Sequence, residues 1–292
     1  MIMEISVQQR SQEWFDLRKS VQLTASNFGE ALGVGRGKPF DFLQYYLDEE
    51  EEEETSSAMQ HGIDMEIVIA EMYQLLTCNQ IRESGFWIPD KGDELENLVG
   101  VSPDAVVEAK NGQQIGLCEF KAPVFSLYGQ NSPHGIPRHY MAQMQGQMGV
   151  SKLPWCDFLA VCARTKSLLL KRVHFCETYW KTATKLLKEF CLAVKASRVA
   201  GCIPDNHEFV NLIKQRETFY SKFLNGESSI KVENLLKVNA KNNTYCGPSD
   251  VWMTFDCLMG VDLDLSPDTL TSIQDKIDKI DKAIQLKQNV TA

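Results

Sequence analysis

The feature that most restricts the fold of this chain is a series of short apolar or β-branched runs between residues 85 and 175, interrupted once by a helical pattern. The runs cover residues 86–88, 98–107, 115–120, 158–162 and 168–173, and glycine, proline or asparagine punctuates the series. Helical spacing of apolar residues appears before the series at 59–76, within it at 140–150 and after it at 179–196. Gly146 and Gly149 weaken the middle helix. This order predicts an α/β fold with a central mixed β-sheet flanked by helices.

The two ends of the chain differ from this central part in their pattern of apolar residues. Near the N-terminus we expect a short helix around 14–18 and a second helix beginning near Thr24 and Ser26, where a hydroxyl could cap its first turn. After Pro204 the apolar density falls, so we predict one domain over 1–204 and a C-terminal extension over 205–292.

The extension ends in a predicted amphipathic helix over about residues 267–287. Its apolar stripe consists of Leu270, Ile273, Ile277, Ile280 and Ile284. An apolar stripe of this kind is expected to be buried against another protein surface. Packing onto its own domain is one interpretation, because a seam of about two heptads is short for an autonomous coiled coil. Docking on a neighbouring subunit or on a partner protein is the other.

Composition excludes several classes of protein. With 43% hydrophobic and 24% charged residues among 292, the chain is neither disordered nor fibrous. Its longest uncharged apolar runs, such as 158–163, fall far short of the roughly 20 residues that cross a bilayer. Residues 1–10 carry no secretory signal pattern. We therefore expect no membrane contact and an intracellular protein, in a bacterial cytoplasm or, if viral, in the nucleus or cytoplasm of a eukaryotic host.

The net charge of −9 is unevenly distributed. The acidic run 48–54 contributes −7 and leaves −2 for the rest, whereas residues 151–200 carry +7. This basic segment could offer a surface to nucleic acid despite the acidic total. A solvated helix face is the more common explanation for such a run, so both interpretations stay open.

Nine cysteines are scattered along the chain without a CxxC pair. In an intracellular protein this pattern favours reduced thiols over a disulfide framework. It also argues against a structural zinc site.

The strongest chemical signal is a pair of carboxylates with a lysine. Asp104 lies in the second long run, and Glu119 and Lys121 end the third. If the turn at 110–112 joins these runs as adjacent strands, the acid of one and the alternate residues of the other meet on one face. Hard oxygen ligands there suit Mg²⁺ or Mn²⁺, and an adjacent ammonium suits a phosphate or an attacking water.

The order of motifs resembles the lambda exonuclease and YqaJ-type viral recombinase family, within the PD-(D/E)xK nuclease superfamily. The matching segments are Trp14-Phe15-Asp16-Leu17-Arg18 with Thr24-Ala25-Ser26, Gly62-Ile63-Asp64-Met65-Glu66, Ser102-Pro103-Asp104, Glu119-Phe120-Lys121, and Tyr140-Met141-Ala142-Gln143-Met144-Gln145. Five motifs in one order over residues 14–145 are far more specific than any one of them. The resemblance implies a restriction-endonuclease-like core.

The same resemblance implies the roles of individual residues. Asp104, Glu119 and the backbone carbonyl of Phe120 would bind Mg²⁺, or Mn²⁺, with two ions at the site and Glu66 completing the acidic set. Lys121 would orient or activate the attacking water. Catalytic groups would be aligned by Gln143, and a phosphate, by analogy the terminal 5′-phosphate, would be held by Arg18 and Ser26.

The resemblance therefore implies a Mg²⁺-dependent exonuclease that degrades duplex DNA from its ends, 5′ to 3′, in viral or phage-type recombination, repair or replication. Two alternatives stay open: a recombination scaffold that binds DNA ends with little catalysis, and a structure-specific endonuclease of the same fold. The resemblance also implies partners: a single-strand annealing or single-strand-binding protein, and further copies of the chain in a trimer.

Overall fold

The computed structural model describes residues 3–48, 56–129, 132–218 and 229–261. Seven α-helices lie in these ranges: α1 Gln12–Ser20, α2 Phe28–Ala31, α3 Pro39–Asp48, α4 Ser57–Thr77, α5 Arg138–Ser151, α6 Glu177–Ala200 and α7 Glu208–Lys214. The first strands are β1 Met3–Ile5, β2 Leu23–Thr24, β3 Gln80–Glu83, β4 Phe86–Ile88, β5 Val99–Gly100, β6 Ala105–Glu108 and β7 Gln114–Lys121. They are followed by β8 Trp155–Cys162, β9 Ser167–His174, β10 Val232–Asn234, β11 Lys237–Asn239, β12 Thr244–Cys246 and β13 Trp252–Thr254. Short 3₁₀ turns lie at Ala25–Asn27 and Pro133–Gly135, and a π-helical turn lies at Cys257–Val261.

A six-stranded mixed sheet forms the centre, with the strand order β10-β9-β8-β7-β6-β3. Strands β7 and β8 are parallel, and every other neighbouring pair in this sheet is antiparallel. The parallel pair requires a crossover connection, and α5 lies in it. The α/β prediction with a central mixed sheet flanked by helices is confirmed.

The sheet carries a separate apolar core on each of its faces. Helix α4 covers one face, where Met65, Ile69 and Met72 are buried with Cys118 of β7. Helices α5 and α6 cover the other face, where Leu117 is buried. Since side chains alternate along a strand, residues 117, 119 and 121 of β7 point toward α5.

The two glycines of α5 permit close packing and do not interrupt the helix. A Cβ on Gly146 would lie 2.4 Å from the ring of Phe28, and one on Gly149 would lie 2.2 Å from the indole of Trp180. Helix α5 therefore runs unbroken through both positions. Their small size brings α2 and α6 against it.

Three sequence expectations need correction. Residues 86–88 pair with β1 in a separate two-stranded sheet, while β3, which was not predicted, occupies the edge of the central sheet. The run 98–107 forms two strands, β5 and β6, because residues 102–104 between them belong to no strand. Near the N-terminus, the start of the 3₁₀ turn at 25–27 has no side-chain cap, whereas Ser11 caps α1 by accepting from the backbone N–H of Trp14 at 3.2 Å.

Residues 229–261 contact the rest of the fold at strand β9 and at the end of helix α4. Strand β10 extends the central sheet beside β9, and the sheet β11-β12-β13 lies beside the end of α4, where the N–H of Ser249 donates to the carbonyl of Leu76 at 3.0 Å. The division of the chain at 204/205 stays a prediction. The helix expected over 267–287 and most of the acidic run lie outside the described residues.

Two further observations bear on the sequence expectations. The nine cysteines are all free thiols in this structure. Among the described helices, none combines the length and apolarity of a membrane span.

A buried ion pair ties β8 to β9 on the α4 side of the sheet. The fully buried carboxylate of Asp157 accepts two bonds from Arg172, each at 2.8 Å, and one from the hydroxyl of Tyr73 at 2.7 Å. Replacing Arg172 with methionine would leave this carboxylate buried without its cation. We expect a loss of about 3 kcal/mol in the free energy of unfolding, measured by urea denaturation.

The matched control is Lys188→Met, which removes an exposed ion pair with Glu94. We expect this change to cost less than about 1 kcal/mol. Equal losses in the two variants would contradict a structural role for the buried pair.

Candidate active site

The β6–β7 hairpin brings the two predicted acidic residues together. Ala105 pairs with Cys118, so Asp104, immediately before β6, lies beside Glu119 of β7. The backbone N–H of Phe120 donates to Oδ2 of Asp104 at 2.5 Å. This contact fixes the carboxylate at the end of the strand from which Glu119 and Lys121 project.

Glu119 is fully buried and is held by three donors. Its Oε1 accepts from the ammonium of Lys121 in a short ion pair and from Nε2 of Gln143 at 2.8 Å. Its Oε2 accepts from Nε2 of Gln147 at 2.7 Å. The predicted residues Asp104, Glu119, Lys121 and Gln143 therefore form one connected group, which also includes Gln147, a residue that was not predicted. The sequence signal for Gln147 was its position one helical turn after Gln143.

Burial and mutual charge perturb this group. Burial, followed by the neighbouring charge of Glu119, raises the pKa of Asp104 well above its usual range. For Lys121, burial alone would lower the pKa, but the carboxylates of Glu119 and Asp104 outweigh it and raise the pKa above its ordinary value. Lys121 also lies 5.0 Å from the ring centre of Tyr140. The site therefore concentrates negative charge that one ammonium partly offsets.

The donor set fits a hard divalent cation. Mg²⁺ usually keeps several waters and is bound through one or two carboxylates. Asp104 and Glu119 supply two carboxylates, and Phe120 contributes a carbonyl at the same strand end. Across the described ranges, no three acidic, histidine or cysteine side chains converge to hold a metal by themselves. The role of Glu66 as a further metal ligand stays a prediction.

Glu66 lies close enough to act on the site through its charge. That charge contributes to the raised pKa of Asp104, after burial and Glu119. Its carboxylate forms a short ion pair with Arg10, a residue outside the five motifs. The N-terminal loop is held beside the site because Nε2 of Gln9 donates to the carbonyl of Pro103 at 2.8 Å.

Arg18 and Ser26 form a second cluster. The guanidinium of Arg18 donates to the hydroxyl of Thr24 at 3.3 Å and to that of Ser26 at 3.5 Å. It stacks on the indole of Trp14, which donates to the hydroxyl of Ser102 at 3.0 Å. This chain of contacts ties the cluster to the segment that leads into Asp104. Burial disfavours the charged form of the Arg18 guanidinium and so lowers its pKa. A bound anion would favour the charged form and offset this effect.

Two neighbouring residues have other roles. Gln145, fully buried, donates to the carbonyl of His174 at 2.8 Å and accepts from the backbone N–H of Cys176 at 2.9 Å, so it ties α5 to the end of β9. Burial, then the charges of Arg36 and Lys121, lower the pKa of His139 to about 4. This histidine is therefore neutral at pH 7.

The fold has solved counterparts. An alkaline exonuclease from Laribacter hongkongensis, LHK-Exo, is 23% identical, with a TM-score of 0.50, and the match covers 65% of this chain and 98% of that one. LHK-Exo in complex with dAMP matches over the same shares with 23% identity and a TM-score of 0.51. These similarities establish a shared fold and confirm the fold class that the motifs predicted.

Sequence comparison finds a family model that matches part of the chain. No curated protein matches the chain significantly. Residues 13–154 match the model of the YqaJ-like viral recombinase domain, a range that contains all five motifs and the connected acidic group. Over these residues, the chain is similar to the YqaJ-like viral recombinase domain, the family that the order of its motifs resembles.

Proposed function

We propose that the chain is a Mg²⁺-dependent exonuclease that hydrolyses duplex DNA from its ends, 5′ to 3′, in phage-type recombination. The observation that carries the proposal is the convergence of Asp104, Glu119 and Lys121 at adjoining strand ends inside the YqaJ-like domain. The fold it shares with LHK-Exo, a protein described as an alkaline exonuclease and also solved in complex with dAMP, supports the same conclusion.

The chemistry follows from the arrangement of charges. When bound, one or two Mg²⁺ or Mn²⁺ ions would stabilise the charge that develops on the attacking and leaving oxygens of the phosphodiester. Asp104, Glu119 and the Phe120 carbonyl would hold them, and Glu66 would add negative charge. Lys121 would direct its ammonium at the attacking water or a phosphate oxygen. Gln143 keeps Glu119 in place through its amide.

The cluster of Arg18, Thr24 and Ser26 would receive the terminal 5′-phosphate. An arginine fork and two hydroxyls are donors suited to phosphate oxygens. We extend the proposal to assembly: further copies of the chain in a trimer, and a single-strand annealing or single-strand-binding protein that takes up the product strand. The proposed exonuclease would act inside the cell.

Replacing Arg18 with alanine is expected to reduce the preference for 5′-phosphorylated ends about tenfold or more. A hydrogen bond to a charged group contributes about 1.5–3 kcal/mol, and 1.36 kcal/mol corresponds to a tenfold rate change. The measurement is the ratio of kcat/KM on duplexes with 5′-phosphate and 5′-hydroxyl ends. Lys19→Ala removes an adjacent exposed cation and should leave the ratio unchanged. Equal wild-type rates on both ends would refute the role of Arg18.

End dependence tests the proposal as a whole. Linear duplex labelled at one or the other terminus and covalently closed circular DNA of the same sequence are incubated with the full chain and Mg²⁺. We expect mononucleotide release from the 5′ end of the linear substrate and no opening of the circle. Cleavage of the closed circle would favour a structure-specific endonuclease, and binding of ends without release would favour a scaffold.

A further inference from the structure

Gln147 combines full burial with an incomplete set of hydrogen bonds. Its side chain has no exposed surface, and its Nε2 donates to Oε2 of Glu119 at 2.7 Å. Its own carbonyl oxygen Oε1 is buried without a hydrogen-bond partner. The orientation of the amide is determined by its neighbour, because rotating it would place Oε1 against the carboxylate of Glu119.

An unpaired buried acceptor is destabilising, and an apolar side chain of the same length would avoid it. The amide at position 147 therefore has one favourable contact, its donation to Glu119. A role in holding α5 in place does not explain the glutamine at position 147. Gln145, on the same helix, has such a role, and both its amide nitrogen and its amide oxygen are hydrogen-bonded.

The two oxygens of Glu119 are held by different groups. Oε1 accepts from Lys121 and Gln143, and the charge of Asp104 also acts on Lys121. Oε2 accepts from Gln147. Two amides one turn apart on α5 thus fix the rotation of a carboxylate that projects from β7.

We propose that Gln147 is a positioning residue that anchors Oε2 of Glu119 and so keeps Oε1 directed toward Lys121, in the acidic group with Asp104 where the divalent cation would bind. This inference rests on the proposed function. Groups that orient metal ligands typically contribute 10–100-fold to metal affinity or activity. If the Gln147 amide is removed, we expect weaker metal binding and slower cleavage. The difference in cleavage rate from the wild type should become smaller as the metal concentration is raised.

The test uses the full chain with Gln147→Met and, as its matched control, Gln145→Met. Mn²⁺ binding is measured without DNA, by calorimetry and by the electron paramagnetic resonance signal of free Mn²⁺. We expect Gln147→Met to raise the Kd for Mn²⁺ by about 10–100-fold. Gln145→Met removes an equally buried amide that does not touch Glu119, and we expect it to leave the Kd within about twofold of wild type while lowering the urea midpoint.

A second variant guards against misfolding. Gln147→Asn keeps an amide but is one methylene too short to reach Oε2, so it should weaken Mn²⁺ binding as Gln147→Met does. Wild-type Mn²⁺ affinity in a folded Gln147 variant, or an equal loss in Gln145→Met, would overturn the inference while leaving the nuclease proposal in place. A wild-type chain that neither binds Mn²⁺ nor releases nucleotides would overturn both.

Discussion

Asp104→Asn is expected to slow nucleotide release from linear duplex DNA by about a thousandfold. Asparagine keeps the shape of the side chain and an oxygen that can accept from the N–H of Phe120, so the strand end should stay intact. It removes the negative charge that would hold the cation. Metal-ion stabilisation of the transition state contributes several kcal/mol, and 1.36 kcal/mol corresponds to a tenfold rate change. The measurement is single-turnover cleavage at saturating Mg²⁺.

The matched control is Glu108→Gln, which removes a carboxylate from the far end of β6, the strand that Asp104 precedes, where Glu108 pairs with Arg82. Cleavage by this variant should stay close to wild type. DNA binding by Asp104→Asn should also persist, because affinity for the phosphate backbone depends on cations elsewhere on the surface. Wild-type turnover by Asp104→Asn would mean that the active site lies in another part of the chain.

Lys121→Met is expected to remove cleavage by a factor of about 10²–10⁴, the usual contribution of a positioned group that assists proton transfer. Methionine retains most of the apolar stem of the side chain, but not the charge that neutralises Glu119 and lies over the ring of Tyr140. Lys121→Arg should not restore the rate, because a planar guanidinium does not replace a compact ammonium.

Lys171→Met serves as the control for Lys121, since Lys171 is a partly buried lysine on β9 of the same sheet. Its replacement should leave the rate within about threefold of wild type. A similar loss of rate in both variants, or none in Lys121→Met, would show that the ammonium of Lys121 has no specific role in the reaction.

The core of the site could be predicted from sequence because its residues are close along the chain. A turn at 110–112 between two apolar runs predicts a hairpin, and the structure has it between β6 and β7. The spacing of Glu119 and Lys121 places both side chains on one face of β7. Helices 59–76 and 179–196 were likewise confirmed, because their apolar spacing repeats over many turns.

Other parts depend on contacts between distant segments. Strand β3 has the sequence Gln-Ile-Arg-Glu, which lacks an apolar run, and Arg82 at its centre pairs with Glu4 and Glu108 from two other strands. The pairing of Arg10 with Glu66 joins a loop to a helix across 56 positions. Gln147 was missed because the phase of α5 relative to β7 decides which amides reach Glu119, and that phase follows from the close packing at Gly146 and Gly149.

Release of nucleotides from a linear, 5′-phosphorylated duplex by the full chain, with Mg²⁺ and with Mg²⁺ plus excess chelator, tests the central claim most directly. We expect acid-soluble mononucleotides with Mg²⁺, none after chelation, and recovery of release when Mg²⁺ is restored in excess. Release that persists in chelator, or a folded chain that binds the duplex and releases nothing at any Mg²⁺ concentration, would contradict the assignment of Asp104, Glu119 and Lys121 as the centre of a metal-dependent exonuclease.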